Sequence, residues 1–137
     1  MNSFFKSEPP KRHTILIVDD SPELVELSKT ILEMNDYEVY TALSGSQALT
    51  MLGKIDQPDL ILLDLQMKEM SGPQFLLELE KNNPEIIESV PVVFLSGMDK
   101  APPSCAMGFL QKPVPMDKFL SAIQQFIENG MTPSHCH

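Results

Sequence analysis

The sequence predicts an α/β fold, a doubly wound parallel β-sheet with helices on both faces. Three observations predict it. Short, mainly apolar runs recur at Thr14–Val18, Leu60–Leu63 and Val90–Leu95, and such runs suit strands buried on both sides. Between them lie segments whose apolar residues fall at helical spacing, and strand–helix alternation of this kind builds a parallel sheet through right-handed crossovers. The length, 137 residues, fits one domain with a core large enough to need no disulfide or structural metal.

Thr14–Val18 (TILIV) is β-branched and reads as the first strand. Ser21-Pro22-Glu23 follows as an N-cap with proline at the first helical position, and Leu24, Leu27, Ile31 and Leu32 supply the apolar stripe of the first helix. Tyr37–Thr41 (YEVYT) alternates, as a strand with one wetter face would. Ser44 opens a second helix carrying Ala48, Leu49 and Leu52, and Leu60–Leu63 (LILL) is the third strand. Gly72-Pro73 opens a third helix with Phe75, Leu76 and Leu79; Val90–Leu95 (VPVVFL) is the fourth strand and Gly108–Leu110 a short fifth. Val114-Pro115 leads into a last helix with Phe119, Leu120, Ile123, Phe126 and Ile127 on one stripe. The crossover between the fourth and fifth strands is anomalous. Residues 96–106 are barely long enough for a helical crossover and contain Gly97, Pro102 and Pro103, so the fourth helix is expected to be missing or strongly shortened. Residues 1–12 read as a flexible arm, 13–129 as the folded domain and 130–137 as a flexible tail.

Composition excludes several functions. Nineteen acids against ten bases give a net charge of −9, the wrong sign for direct nucleic-acid contact or for an anionic membrane surface. Unbroken apolar runs reach four residues, far short of the ~20 a membrane span needs. The N-terminus carries no apolar signal-peptide core. Two cysteines, Cys105 and Cys136, make no disulfide framework, and a reducing cytoplasm is expected. Nine methionines read as packing rather than a cofactor box, and His135-Cys136-His137 as an unstructured tail rather than a metal site.

Ligands of such sheets bind beyond the carboxyl ends of the strands. There the first strand ends in Asp19-Asp20, the third in Asp64, the fourth in Ser96, and the fifth is followed by Lys112-Pro113. One aspartate at a strand end is ordinarily a turn former. Three carboxylates, a hydroxyl and an ammonium at one edge point instead to chemistry. Crowded carboxylates resist ionising together, and a hard divalent cation such as Mg²⁺ relieves that repulsion through oxygen ligands. A carboxylate so placed can attack phosphorus to form an acyl phosphate, with the cation, Lys112 and Ser96 neutralising the transferred oxygens.

The constellation resembles the receiver domain of two-component response regulators, the CheY-like family. The resemblance covers about residues 13–129 and rests on ILIVDDSP at 15–22, LILLDLQMKEMSG at 60–72, FLSG at 94–97 and FLQKP at 109–113. The separations are also similar: 44 residues from Asp20 to Asp64 and 48 from Asp64 to Lys112. It implies a flavodoxin-like sheet of order 2-1-3-4-5, with phosphorylation on Asp64. It further implies Mg²⁺ held by Asp20, Asp64, the backbone carbonyl of Gln66 and, through water, Asp19. Ser96 and Phe109 would be the switch hydroxyl and switch aromatic, Lys112 the phosphate-pairing lysine, and the bond before Pro113 cis. Gln66 and Met98 would tune the lifetime of the phosphoryl group; because Met98 cannot orient water, slow self-dephosphorylation is expected. Implied partners are a histidine kinase or histidine phosphotransfer protein and a downstream protein, with a homodimer left open.

Two departures stand out. Lys68 occupies the position where the family usually has proline, and the missing helix would remove part of the family's usual output face. They are the support for a second reading, a receiver-fold interaction module with an atypical or phosphorylation-independent output, against which stands the complete set Asp19, Asp20, Asp64, Ser96 and Lys112. A phosphatase with an aspartyl phosphate would need a second acid where Gln66 stands, so no enzyme acting on an external substrate is expected. A flavin or nucleotide phosphate loop would not carry Asp19-Asp20. No further domain is expected after the last helix, although a receiver cut from a longer protein would read the same way.

Overall fold

Each β-strand of the computed structural model, which describes residues 12–97, 108–112 and 114–129, is only four or five residues long. The strands β1 (Thr14–Val18), β2 (Glu38–Ala42), β3 (Leu60–Asp64), β4 (Val92–Ser96) and β5 (Gly108–Gln111) pair in parallel in the order β2-β1-β3-β4-β5. The helices are α1 (Pro22–Glu33), α2 (Gly45–Leu52), α3 (Gly72–Asn82), α4 (Pro84–Ser89) and α5 (Met116–Asn129). This is the doubly wound fold and the strand order the sequence implies.

The period of two along a strand divides the core. Leu16, Val18, Ile61, Leu63, Val92 and Phe94 point to one face, where Ala48 and Leu52 of α2, Phe75, Leu76 and Leu79 of α3, and Ile86 and Ile87 of α4 cover them. Ile15, Ile17, Leu60, Leu62 and Val93 point to the other, under Val25 and Leu32 of α1 and Phe119 and Ile123 of α5. Central strands β1 and β3 are buried at every residue, which is why their sequences show no alternation. β2 lies at the sheet edge and is graded from exposed Glu38 to buried Ala42.

Three local readings change. The fourth strand begins at Val92 rather than Val90, because Pro91 has no N–H for a ladder; its carbonyl accepts from Ile61 N–H at 3.0 Å. Ser21 holds the N-cap position of α1 without a side-chain cap bond, and its N–H instead donates to Asp19 Oδ1 at 3.0 Å. The helix α4 was not expected. Pro84 cannot continue α3 without losing a main-chain hydrogen bond, yet its fixed φ suits the first turn of a new helix, and Asn83 (φ −144°, ψ 67°) forms the joint. This helix precedes β4. The expected loss of a helix between β4 and β5 concerns residues 96–106, of which 98–106 lie outside the described residues, as do residues 1–11 of the arm and the tail at 130–137.

Turn chemistry sets the entries to the helices. Asp36 takes φ 68°, a left-handed conformation that aspartate tolerates, just after α1. Ser44 caps α2 by accepting from Gln47 N–H at 3.1 Å. Ser71 and Gln74 form a reciprocal capping box at α3.

Candidate functional site

Strand continuity delivers three acids to one place. Asp19 extends β1, its N–H donating to Ala42 O at 3.1 Å, and Asp20 follows it. Asp64 is the last residue of β3. Each of the three offers a carboxylate oxygen such that all these atoms lie within 4.8 Å of one another. Asp19 and Asp64 are buried and Asp20 is partly exposed.

Lys112 answers this charge. Its N–H donates to Ser96 O at 2.7 Å, which fixes its backbone against the end of β4. Its ammonium then reaches back to Asp19 Oδ2 at 3.3 Å and Asp64 Oδ1 at 3.8 Å. Both Asp19 oxygens are thereby engaged, Oδ1 by Ser21 N–H and Oδ2 by Lys112. Asp64 Oδ1 also accepts a long hydrogen bond, 3.4 Å, from Gln66 N–H.

These contacts do not fully compensate Asp64. Burial pushes its carboxyl above the usual carboxylate range, and the charge of Asp19 adds to the effect. The Lys112 ammonium and the Gln66 N–H pull the other way, while Asp20 raises it again. A buried carboxylate carrying uncompensated negative charge, with all-oxygen donors beside it, is the chemistry of a hard-cation site. The donor set therefore fits Mg²⁺ on its own terms.

The remaining sequence-derived residues fall around this centre. Ser96, at the end of β4, is buried. Phe109 pairs in register with Phe94 across β4 and β5 and packs, partly buried, on the core face shared with α3. Gln66 is exposed directly beyond Asp64. Met98, Pro113 and Cys105 lie outside the described residues, as do His135, Cys136 and His137. Gly72 explains how α3 can start so near the acids. A Cβ there would stand 3.0 Å from Asp64 O and 3.2 Å from Leu65 Cα, while Gly72 N–H donates to Leu65 O at 3.0 Å.

One contact escaped the sequence. Lys68 stood out there as a departure from the family's usual proline, its side chain read as a solvated lysine near the site mouth. It is instead its main-chain N–H that reaches the cluster, donating to Asp20 Oδ2 at 2.9 Å. Its ammonium makes no ion pair among the described residues. No side-chain pattern announces a backbone donor; only the absence of proline at this position could have raised the idea.

Comparison with known proteins agrees with this geometry. The chain is 35% identical over 122 residues to the transcriptional regulatory protein GlrR of Escherichia coli (strain K12), a match covering 85% of this chain and 26% of that protein. It is 30% identical over 131 residues to the CpxR homolog of Haemophilus influenzae, covering 88% of this chain and 53% of that protein. The chain thus spans about a quarter to a half of these relatives. Among solved structures, the Vibrio cholerae chemotaxis protein CheY4 superposes with a TM-score of 0.76 at 26% identity, covering 85% of this chain and 99% of that one. The Thermotoga maritima response regulator TrrA, solved in complex with Mg(2+)-BeF, gives a TM-score of 0.71 at 25% identity, covering 83% and 98%. A family model described as the response regulator receiver domain matches residues 15–124. Because that match runs from the first strand into the last helix, this chain belongs to the family of response regulator receiver domains, the CheY-like modules of two-component signalling.

Proposed function

We propose that residues 13–129 form a phosphoacceptor receiver that takes a phosphoryl group on Asp64 from a phosphohistidine and signals through protein contacts. The observation that carries this reading is the setting of Asp64: buried, within 4.8 Å of two further acids, and 3.8 Å from the Lys112 ammonium. An oxygen of Asp64 attacks phosphorus; a P–O bond forms, the P–N bond to the donor imidazole breaks, and its electron pair returns to the ring nitrogen, which takes up a proton. Lys112 pairs with the transferred oxygens. Asp20, Asp64 and the Gln66 carbonyl would hold Mg²⁺, with Asp19 acting through water; the bound cation supplies positive charge opposite the phosphoryl oxygens. Ser96 turns its hydroxyl toward the phosphoryl group and Phe109 moves inward, biasing the surface around β5. Gln66 and Met98 set the lifetime of the product.

The chemistry is confined to the protein's own aspartate, since no acid stands two residues after it. A groove of about 290 Å³ between α1 and α5, bordered by exposed Leu24, Leu27 and Met116, adjoins Asp19 and Lys112. Asp64 does not line the groove, but its ion-pair partner Lys112 does, and that proximity supports docking of the histidine-bearing donor there. The acidic charge argues against direct nucleic-acid contact. No helix among the described residues is long and apolar enough to cross a membrane, and the reading carries a cytoplasmic location. Intact-mass measurement after incubation with MgCl₂ and a small acyl-phosphate donor tests it. A single covalent phosphoryl group on wild type and none on Asp64→Ala is expected; equal modification of both, or of neither, overturns the assignment.

A further inference from the structure

The bond from Lys68 N–H to Asp20 joins the β1–α1 and β3–α3 loops across 48 residues of sequence. Two further ties hold the loop that makes it. Glu69 Oε1 accepts from Ser46 Oγ at 2.7 Å and from Ser46 N–H at 3.2 Å at the start of α2. Gly72 N–H closes the loop's far end on Leu65 O at 3.0 Å. Position 68 is thus fixed from both sides, and its N–H meets a specified oxygen, Oδ2 of the most exposed acid in the cluster.

The three acids differ in how they are oriented. Asp19 is fixed by Ser21 N–H and Lys112, and Asp64 by its place in β3, Gln66 N–H and Lys112. For Asp20 the interaction from a distant element is the Lys68 N–H. A carboxylate that binds a small divalent ion through one oxygen is commonly held by a donor on the other, and loss of such a donor costs about 10–100-fold in metal affinity.

We propose that the main-chain N–H of Lys68 is a positioning group for Asp20: by holding Oδ2, it presents the other oxygen to the divalent cation, and the Glu69–Ser46 tie keeps it in place. This rests on the reading of the acid cluster as a Mg²⁺ site. It assigns position 68 a role that its side chain does not perform. It also makes cation affinity depend on α2, which touches none of the three acids through a described hydrogen bond.

Calorimetric titration of MgCl₂ into Lys68→Pro, Lys68→Ala and Glu69→Ala, each checked for folding by circular dichroism, tests the proposal. Lys68→Ala keeps the N–H and controls for loss of the ammonium; Lys68→Pro removes both. The expected result is a Kd about tenfold higher for Lys68→Pro than for Lys68→Ala, with Glu69→Ala weakened several-fold relative to wild type. Equal affinity of folded Lys68→Pro and Lys68→Ala overturns it while leaving the metal reading intact. Absence of Mg²⁺ uptake by wild type overturns both. Should Lys68→Pro not fold, amide exchange at Lys68 decides: faster exchange in Asp20→Ala than in wild type supports the tie, and equal exchange refutes it.

Discussion

Replacing Asp64 with asparagine should make the protein more stable, not less, when divalent cations are absent. Oxygens of the three acids lie within 4.8 Å of one another, so at an effective dielectric constant of about 20 each like-charge pair opposes folding by about 3–4 kcal/mol. Asp64 takes part in two such pairs. The Lys112 ammonium, 3.8 Å from Asp64 Oδ1, returns about 4 kcal/mol on the same scale. The balance is at most about 2–3 kcal/mol against the ionised carboxylate, since solvent screens the partly exposed Asp20, and burial adds to it with the same sign. An amide of equal shape removes the charge but must find partners for its own N–H groups, so the expected net gain is about 1–3 kcal/mol. For a chain of this size that is a rise in Tm of roughly 3–12 °C.

The pH dependence gives the argument its sharper test. Because the folded state holds the Asp64 carboxyl above the usual carboxylate range, it favours the protonated acid. That favourable contribution is complete below the unfolded value of about 3.9 and disappears as pH rises through the folded one. The advantage of Asp64→Asn should therefore be largest near neutral pH, shrink as pH falls through the raised folded value, and reach its minimum by about pH 4. Thermal melts in EDTA across this range measure it directly, and millimolar MgCl₂ should then raise the Tm of wild type more than that of the variant. If Asp64→Asn were no more stable than wild type in EDTA at pH 7, the electrostatic reasoning would be wrong.

Two further substitutions probe the same architecture. Gly72→Ala places a methyl group 3.0 Å from Asp64 O and 3.2 Å from Leu65 Cα, both backbone atoms that cannot swing aside, so urea unfolding should show a loss of about 1–3 kcal/mol. Lys112→Met leaves Asp19 and Asp64 without their shared counter-charge; with the lysine side chain 25% exposed, solvent screening reduces the usual cost of breaking a buried pair to about 1–3 kcal/mol, again read by urea unfolding in EDTA near pH 7.

Most of the architecture was legible because the strands are buried on both faces. TILIV and LILL can hardly be anything but central strands, and the residues closing them had to gather at one sheet edge once the connections were parallel. Asp19, Asp20, Asp64, Ser96 and Lys112 could therefore be grouped before any coordinates. Their chemistry was legible for a different reason: five suitable groups at one edge are far less common than any one of them. What stayed hidden was short or belonged to the main chain. A six-residue helix such as α4 gives too few turns to establish a period, and Pro84 reads equally well as an end or a beginning. The start of β4 was displaced by two residues because an apolar valine was weighed above the missing N–H of Pro91. The donor at position 68 had no signature at all, since every residue but proline carries one.

The main-chain hydrogen bond from Lys112 N–H to Ser96 O has a mechanical consequence. Lys112 directly follows β5, a boundary strand with a neighbour on one side only and no fully buried residue. Its amine nonetheless reaches inward along the carboxyl edge of the sheet to two sequestered acids. The periphery and the centre are thus joined by a single lever arm with its pivot at Ser96 O. Whatever grips that rim acts on the lever, and whatever charge arrives at the centre is felt at the rim.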